Sequence, residues 1–181
     1  MSTQWMYAFF ILATAIERVI ELRVSNRNAA WSMQQGGKEY GQGHYPSMVI
    51  LHTGFLFACV IEVFAFDRVF DPVLGILLLT VAVFCQLLRW WCISTLGHRW
   101  NTRVIIVPGL TRVNRGPYAY FSHPNYVAVV TEGLVLPLIH GAWLTAMIFT
   151  LLNAWLLNVR IGVENKALDE MEQTLGAANH A

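Results

Sequence analysis

The chain has 181 residues, of which 56% are hydrophobic and only 13% carry a charge, and its formal net charge is +1. Soluble domains carry roughly a quarter charged residues, so this composition excludes an ordinary soluble domain and favours an integral membrane protein. The net charge is close to zero, and no nucleic acid is expected as a partner. The three cysteines lie in apolar segments without metal-ligand spacing, and no metal site is predicted.

Five segments are long or apolar enough to cross a bilayer, because about 20 helical residues span its hydrocarbon core. In chain order they are Trp5–Leu22, Tyr45–Phe66, Val73–Thr95, Asn125–Ile139 and Gly141–Val159. We therefore predict an all-α integral membrane protein with about five transmembrane helices, forming a single membrane domain over residues 1–181. Residues 1–95 supply the three N-terminal transmembrane helices. The fourth segment is short, and it is either tilted or half of a tight hairpin with the fifth across His140-Gly141.

Basic residues are unevenly distributed between the two sides of the predicted bundle. The loops Arg23–His44 and Leu96–Ser122, with the tail from Arg160, contain nine of the twelve Lys and Arg residues. The opposite side has only Arg68. Cytoplasmic loops carry the excess of positive charge. The pattern predicts a multi-pass protein of the plasma (inner) membrane, with its N-terminus outside and its C-terminus in the cytoplasm.

Three ionisable residues, Glu62, Arg89 and Glu132, lie inside or close to the predicted spans. Charges within a membrane are costly and usually face a partner or a cavity. Two interpretations remain open, a structural pairing such as Arg89 with Glu132, or a role in a site.

The first loop contains Glu39-Tyr40-Gly41-Gln42-Gly43-His44-Tyr45-Pro46. Its glycines do not have the spacing of a nucleotide-binding fingerprint. The loop is either a flexible cover over a cytoplasmic site or an ordinary turn into the second helix.

The loop Leu96–Ser122 is long for a compact membrane protein, and loops of this length are more often functional than idle. Its β-branched run, Val104–Val107, is closed by the turn signal Pro108-Gly109, which predicts an extended segment. Its four arginines either hold anionic groups or follow the topology rule alone.

The stretch from Arg115 to Tyr126 concentrates three tyrosines and a histidine between Gly and Pro breaks. Pro124 suits the first turn of a helix, where its missing N–H is no loss. His123 is then expected at the mouth of that helix, where free N–H groups and the helix dipole favour an anionic group. For any single tyrosine the alternative is an interfacial aromatic belt.

The tail carries an apolar stripe at helical spacing if the fifth helix continues past the membrane. The stripe consists of Leu157, Arg160, Ile161, Glu164, Leu168, Met171 and Leu175. Arg160 and Glu164 are one turn apart and share a face. This charged pair is either part of a site or a structural ion pair.

Taken together and in this order, these motifs resemble the isoprenylcysteine carboxyl methyltransferase family of integral-membrane enzymes that use S-adenosylmethionine. The resemblance covers about Leu96 to Met171. It rests on Leu96-Gly97 with the run that follows, on Gly116-Pro117-Tyr118-x-Tyr120-x-x-His123-Pro124-x-Tyr126, and on Arg160-x-x-x-Glu164. Members usually have Arg where this chain has Ser122, and often a second Glu where it has Asn165.

The resemblance implies a cytoplasmic S-adenosylmethionine site and a catalytic half in residues 96–181. The implied cofactor-binding residues are Val107, Gly109, Leu110, Tyr118, Tyr120, His123, Pro124 and Tyr126. Arg160 and Glu164 are the implied catalytic residues, with Glu164 acting either as a base or by attracting the sulfonium.

The motif around His44 and Tyr45 resembles the bacterial branch of the family found with type III polyketide synthases. That branch implies O-methylation of long-chain alkylpyrones or alkylresorcinols, with His44 and Tyr45 binding the substrate and membrane lipid as a further partner. The alternatives are carboxyl methylation of a prenylcysteine-like acceptor, thiol S-methylation, or a non-enzymatic transporter or lipid-binding protein. No particular oligomeric state is predicted.

Overall fold

The computed structural model describes residues 2–179 and, within them, all side chains except those of residues 172 and 174–179. Leu175, which we assigned to the apolar stripe of the tail, therefore lies outside the described side chains. The described chain contains five long helices and two short strands, in the order α1 (Thr3–Gln34), β1 (Lys38–Tyr40), α2 (Tyr45–Ala65), α3 (Pro72–Leu96), β2 (Val104–Ile106), α4 (Pro124–Leu138) and α5 (Trp143–Asn179). Single 3-10 turns occupy Gln42–His44, Gly97–Arg99 and Gly116–Ala119.

The helices confirm an all-α integral membrane protein. Within the described chain, three stretches are long and apolar enough to cross a membrane, namely Gln42–Ala65, Pro72–Arg99 and Trp143–Met171. Large apolar side chains cover their outer surfaces, as with Ile50 and Phe57, which are 72% and 66% exposed. Such a surface is stable against lipid rather than water. Because α1 carries charges in its middle and α4 has only 15 residues, the five-span topology and its orientation stay predictions.

The apolar core contains buried side chains from all five long helices, including Ala82 of α3. Tyr7 of α1 is buried there, and its hydroxyl donates to the carbonyl oxygen of Leu136 at 3.1 Å. Gly133 of α4 lies directly against the ring of Phe149 of α5. A residue without a side chain at this position lets the two helices approach closely, as is common in membrane helix pairs.

Glu62 is a structural residue that caps the beginning of α5. Its carboxylate accepts hydrogen bonds from the backbone N–H groups of Leu144 at 3.2 Å and Thr145 at 2.7 Å. Arg68 donates to the same carboxylate from Nε at 3.1 Å and Nη2 at 2.8 Å. The first N–H groups of a helix have no partner within it, and a negative charge is favourable there.

Arg89 belongs to an ionic network that joins α1, α3 and α4. It donates from Nε and Nη2 to the two carboxylate oxygens of Glu21, at 3.0 and 2.6 Å. The expected Arg89–Glu132 pairing is present but longer, at 3.8 Å. Arg18 completes the network, with Nη1 2.6 Å from Glu21 and Nη2 3.1 Å from Glu132. The parallel, two-bond geometry makes the contact with Glu21 the strongest in the network.

The prediction of a loop over Arg23–His44 is wrong in its first half, because α1 continues to Gln34. One face of this extension bonds to the segment that follows α3. Asn28 donates from Nδ2 to the carbonyl of Trp100 at 2.8 Å, and Ser25 Oγ accepts from the N–H of Thr102 at 2.9 Å. These side chains satisfy backbone groups of the loop that would otherwise be buried without partners. The remaining part of the first loop forms β1, which pairs antiparallel with β2 with Glu39 opposite Ile105.

Candidate active site

A solvent-open cleft lies between the segment around β2, the beginning of α4 and the second half of α5. It encloses about 1080 Å³, including the space at its open mouth. Its walls combine apolar side chains such as Val104, Ile106 and Leu168 with polar ones from all three elements. A cleft with an apolar lining and a few convergent polar groups is the usual form of a small-molecule site.

The cleft brings together most of the residues that the sequence placed in a site. Its lining includes the cofactor-binding candidates Val107, Leu110, Tyr118, His123 and Tyr126, and the catalytic candidates Arg160 and Glu164. Gly109, Tyr120 and Pro124 are not among its lining residues. Gly109 occupies a turn with φ +77°, and Pro124 is buried as the first residue of α4. Tyr120 is 78% exposed.

The substrate-binding candidates His44 and Tyr45 lie beside the cleft rather than in its wall. The Tyr45 hydroxyl is 3.2 Å from Thr102 Oγ1, and the guanidinium of Arg103 lies 4.9 Å from the centre of the Tyr45 ring. His44 lies close to Val163 of α5, with Gly41 between them. The segment before α2 is therefore packed against α5.

A chain of three polar side chains stands at the inner end of the cleft. Arg160 donates from Nε to the hydroxyl oxygen of Tyr126 at 2.7 Å, and that hydroxyl in turn donates to Glu164 Oε2. Arg160 also donates from Nη1 to the carbonyl of Thr102 at 2.5 Å, and it is only 6% exposed. Because residues four apart on a helix share a face, α5 presents both charged groups to Tyr126 of α4. Among the described residues Arg160 and Glu164 form no direct ion pair, and the phenol stands between them.

His123, the residue that precedes α4, contacts the hydrogen-bonded group of Arg160, Tyr126 and Glu164. Its ring stacks on that of Tyr126, with centroids 5.2 Å apart and an interplanar angle of 17°. Its Nδ1 lies 3.8 Å from Glu164 Oε1, and its Nε2 lies 3.1 Å from Oδ1 of Asn165. The ring therefore contacts both side chains at the point where this sequence has Glu-Asn.

Tyr118 contributes a phenol that remains protonated at neutral pH. Burial raises the pKa of the Tyr118 hydroxyl well above its ordinary value, and the neighbouring Cys92 and Glu164 act in the same direction. A phenol in this state is a hydrogen-bond donor and acceptor, and it does not act as an anion.

Three buried polar atoms of cleft residues have no hydrogen-bond partner in the described structure. They are Nδ2 of Asn101, Nε of Arg103 and Oδ1 of Asn125. Buried polar side-chain atoms almost always have a partner, so these donors and this acceptor are suited to a polar ligand. The sequence analysis missed Asn101 and Asn125, and it included Arg103 only as one of four loop arginines that either hold anionic groups or follow the topology rule. The one signal for Asn125 is its position between Pro124 and Tyr126, whereas nothing local distinguishes Asn101 and Arg103 from other residues of the loop.

Residues 76–170, just over half of the 181 residues, match the isoprenylcysteine carboxyl methyltransferase (ICMT) family. The chain belongs to this family. Members of the isoprenylcysteine carboxyl methyltransferase family are membrane methyltransferases that use S-adenosylmethionine. Membership therefore supports a methyltransferase that acts in the membrane on a lipophilic substrate.

Two bacterial relatives extend the similarity to nearly the whole chain. The uncharacterized protein YpbQ of Bacillus subtilis (strain 168) is 36% identical over 168 residues, which cover 91% of this chain and 98% of the relative. An uncharacterized protein of Haemophilus influenzae is 27% identical over 156 residues, covering 85% of this chain and 90% of the relative. No solved structure matches the chain. Both matches extend beyond the residues 76–170 that the family match covers.

The residues of the cleft fit S-adenosylmethionine, which carries an amino acid group, a ribose and an adenine. Such a molecule needs both donors and acceptors, and the unpartnered atoms of Asn101, Arg103 and Asn125 supply them. Val107 and Leu110 give one wall an apolar surface of the kind that an adenine ring contacts. The open mouth of the cleft admits a polar cofactor from water.

Proposed function

We propose that the protein transfers a methyl group from S-adenosylmethionine to a hydroxyl oxygen of a long-chain alkylpyrone or alkylresorcinol. The observation that carries this proposal is the hydrogen-bonded chain from Arg160 through Tyr126 to Glu164 at the inner end of the cleft. It places a guanidinium, a phenol and a carboxylate next to one another, so that all three could contact an acceptor oxygen bound beside the Tyr126 hydroxyl.

Asn101, Arg103 and Asn125 would hold the polar groups of the cofactor, with His123 and Tyr118 beside them. The backbone from Val107 to Leu110 would lie against the adenine. When bound, the cofactor supplies a methyl group activated by its positive sulfur. Displacement at such a carbon needs donor and acceptor in line, so the main task of the protein is alignment.

The chemistry of the Arg160–Tyr126–Glu164 chain favours a hydroxyl acceptor over a carboxylate. A carboxylate is already an anion and needs no base, whereas an enol or phenol must lose its proton to become a good nucleophile. Glu164 accepts that proton, directly or through the hydroxyl of Tyr126. Arg160, held by Thr102 and Tyr126, stabilises the negative charge that develops on the acceptor oxygen.

The surroundings of Arg160 suit an acceptor that arrives from the bilayer. Its Nη1 lies 3.4 Å from Met48 Sδ of α2, so the polar chain borders directly on a membrane-spanning helix. Next to Met48 and Arg160, the side chains of Val49 and Val159 are 38% and 40% exposed. An alkyl tail can therefore stay among apolar side chains and lipid while its polar head reaches Tyr126.

The proposal is tested with purified protein in lipid nanodiscs, S-adenosylmethionine labelled in its methyl group, and four acceptors in parallel. These are a long-chain alkylpyrone, a long-chain alkylresorcinol, a prenylcysteine-like carboxylate and a long-chain thiol. We expect label on an oxygen of the pyrone or resorcinol, and at least tenfold less for the same ring without its alkyl tail. Label on the carboxylate or the sulfur alone would assign the protein to another acceptor class, and label on none of the four would contradict the proposal. The tyrosine variant of the proposed active site is Tyr126→Phe. Its matched control is Tyr40→Phe, which removes a phenol from β1 outside the cleft.

A further inference from the structure

A second cavity lies at the C-terminal end of α3, and we call it the arginine cavity. It encloses about 590 Å³, including the space at its open mouth, and is lined by Thr95, Leu96, Arg99, Thr111, Arg112, Val113, Asn114 and Arg115. Three of its eight lining residues are arginines, and none is acidic. The proposed methyl transfer makes no use of this concentration of positive charge.

Two of the three guanidinium groups are held in place by backbone carbonyls. Arg99 donates from Nη1 to the carbonyl of Thr111 at 2.8 Å, and Arg115 donates from Nη2 to that of Thr95 at 3.5 Å. Thr95 belongs to the last turn of α3, where the helix dipole favours a cation. These two guanidinium groups are solvent-exposed, and the carbonyl contacts hold them at the mouth of the cavity.

The charge of the arginine cavity is not neutralised within the described chain. Arg18, Arg68, Arg89 and Arg103 all form ion pairs with glutamates, whereas Arg99, Arg112 and Arg115 form none among the described residues. The sequence has no acidic residue between Asp71 and Glu132. Like charges around one cavity repel each other, and a bound anion removes that repulsion.

The arginine cavity lies at the level expected for lipid headgroups. The membrane-spanning stretch Pro72–Arg99 ends in its wall. Trp90 and Trp91, eight to nine residues before that end, are 42% and 49% exposed, and tryptophan is enriched at the membrane–water interface. Gly116, next to Arg115, lies against Trp91 and Thr95. The arginines therefore meet the membrane where its phosphates lie.

We infer that the arginine cavity binds the phosphate of an anionic phospholipid, with its acyl chains against the exposed tryptophans of α3. Guanidinium groups bind phosphate with paired, charge-assisted hydrogen bonds. A lipid fits better than free phosphate because Trp91, which lies against Gly116 next to Arg115, is 49% exposed and gives the cavity an apolar border. The inference does not depend on the identity of the methyl acceptor.

Occupation of this cavity has a structural consequence for the proposed active site. Arg99, Thr111 and Arg112 line the cleft as well as the arginine cavity. A bound headgroup would thus order one wall of the cofactor cleft.

The inference is tested by measuring lipid binding to the purified protein with native mass spectrometry and thermal shift. The probes are phosphatidylglycerol, phosphatidylcholine with matched acyl chains, and inorganic phosphate. Arg115→Gln removes an arginine that lines only this cavity, and Arg27→Gln, an exposed residue of α1, removes the same charge elsewhere. Each arginine near a membrane phosphate contributes about fivefold in affinity. We therefore expect phosphatidylglycerol to bind about fivefold more weakly to Arg115→Gln, and about 25-fold more weakly to the double variant with Arg112→Gln.

Four outcomes would overturn the inference. If Arg115→Gln and Arg27→Gln lose phosphatidylglycerol affinity equally, the lipid is attracted by general surface charge and not by this cavity. If phosphatidylcholine binds the wild-type protein as tightly as phosphatidylglycerol, an anionic headgroup is not required. If inorganic phosphate bound as tightly as phosphatidylglycerol, the ligand would be a free anion. Binding of S-adenosylhomocysteine is measured without added lipid, and a parallel loss in Arg115→Gln under that condition would assign the cavity to the cofactor site. If Arg115→Gln fails to fold, Arg115→Lys is compared with Arg27→Lys, and a loss of phosphatidylglycerol affinity in Arg115→Lys alone would support paired guanidinium binding, whereas equal affinities would contradict it.

Discussion

Replacing Tyr126 by phenylalanine removes a single oxygen atom from the centre of the proposed active site. That oxygen accepts from Arg160 at 2.7 Å and donates to Glu164, so the substitution breaks both links of the chain. The ring remains and keeps its stacking on His123. The change therefore separates the hydrogen-bonding role of Tyr126 from its packing role.

The expected magnitudes for stability and for turnover differ. A hydrogen bond to a charged group contributes about 1.5–3 kcal/mol. Arg160 keeps the carbonyl of Thr102 at 2.5 Å, and Glu164, with 28% of its side chain exposed, gains water as a partner. We therefore expect a loss of about 1–3 kcal/mol in the free energy of unfolding, from the Arg160 side alone. Loss of a positioned proton-transfer group lowers turnover by about 100-fold or more.

The assay is methyl transfer to the alkylpyrone under saturating cofactor, with denaturant unfolding and S-adenosylhomocysteine binding measured on the same protein. We expect Tyr126→Phe to bind S-adenosylhomocysteine within about threefold of wild type, which is less than 1 kcal/mol, and Tyr40→Phe to behave as wild type throughout. Normal turnover in Tyr126→Phe, with stability reduced, would refute a role of the phenol in proton transfer and leave it as a structural link between α4 and α5.

Four further expectations concern other parts of the chain. Glu164→Gln should keep cofactor binding and lower turnover by about 100-fold; a lowered thermal midpoint with near-normal turnover would instead make Glu164 structural. His123→Ala should weaken S-adenosylhomocysteine binding in calorimetry while the protein stays folded, and wild-type affinity would remove His123 from the cofactor site. Single cysteines at Ser2 and Gln173, in a background without native cysteines, should be labelled from opposite sides of intact cells by an impermeant reagent, whereas labelling from the same side would contradict five spans. Arg89→Met leaves Glu21 buried without its main partner and should lower the free energy of unfolding by about 3–5 kcal/mol. An unchanged free energy of unfolding would show that Arg18 alone is sufficient to pair with Glu21.

Local sequence patterns predicted the helices because each depends on its own residues. The apolar runs of α2, α3 and α5 and the proline at the beginning of α4 are visible in the sequence. The end of α1 was misplaced because its polar side chains looked like a loop. Asn28 and its neighbours are buried only because a segment about 70 residues later supplies their partners, with separations of 69 and 72 in sequence.

Residues of the candidate site could be predicted from the sequence where they repeat at helical spacing or form a motif. Arg160 and Glu164 are one turn apart, so their common face was predictable. The phenol of Tyr126 standing between them was not, because that contact joins residues 34 and 38 positions apart on two helices. Asn101 and Asn125 were missed for the same reason, since only the fold shows that their polar atoms are buried without partners.

Direct binding of S-adenosylhomocysteine to the purified protein, measured by isothermal calorimetry, tests the central claim most directly. The claim is that the cleft between β2, α4 and α5 holds the methyl donor against the Arg160–Tyr126–Glu164 chain. We predict one binding site per chain, with affinity reduced about tenfold in Asn125→Ala, where the unpartnered Oδ1 is lost, as expected for one hydrogen bond of about 1.4 kcal/mol. Absence of binding by the folded wild-type protein, or binding that neither Asn125→Ala nor His123→Ala weakens, would contradict the account.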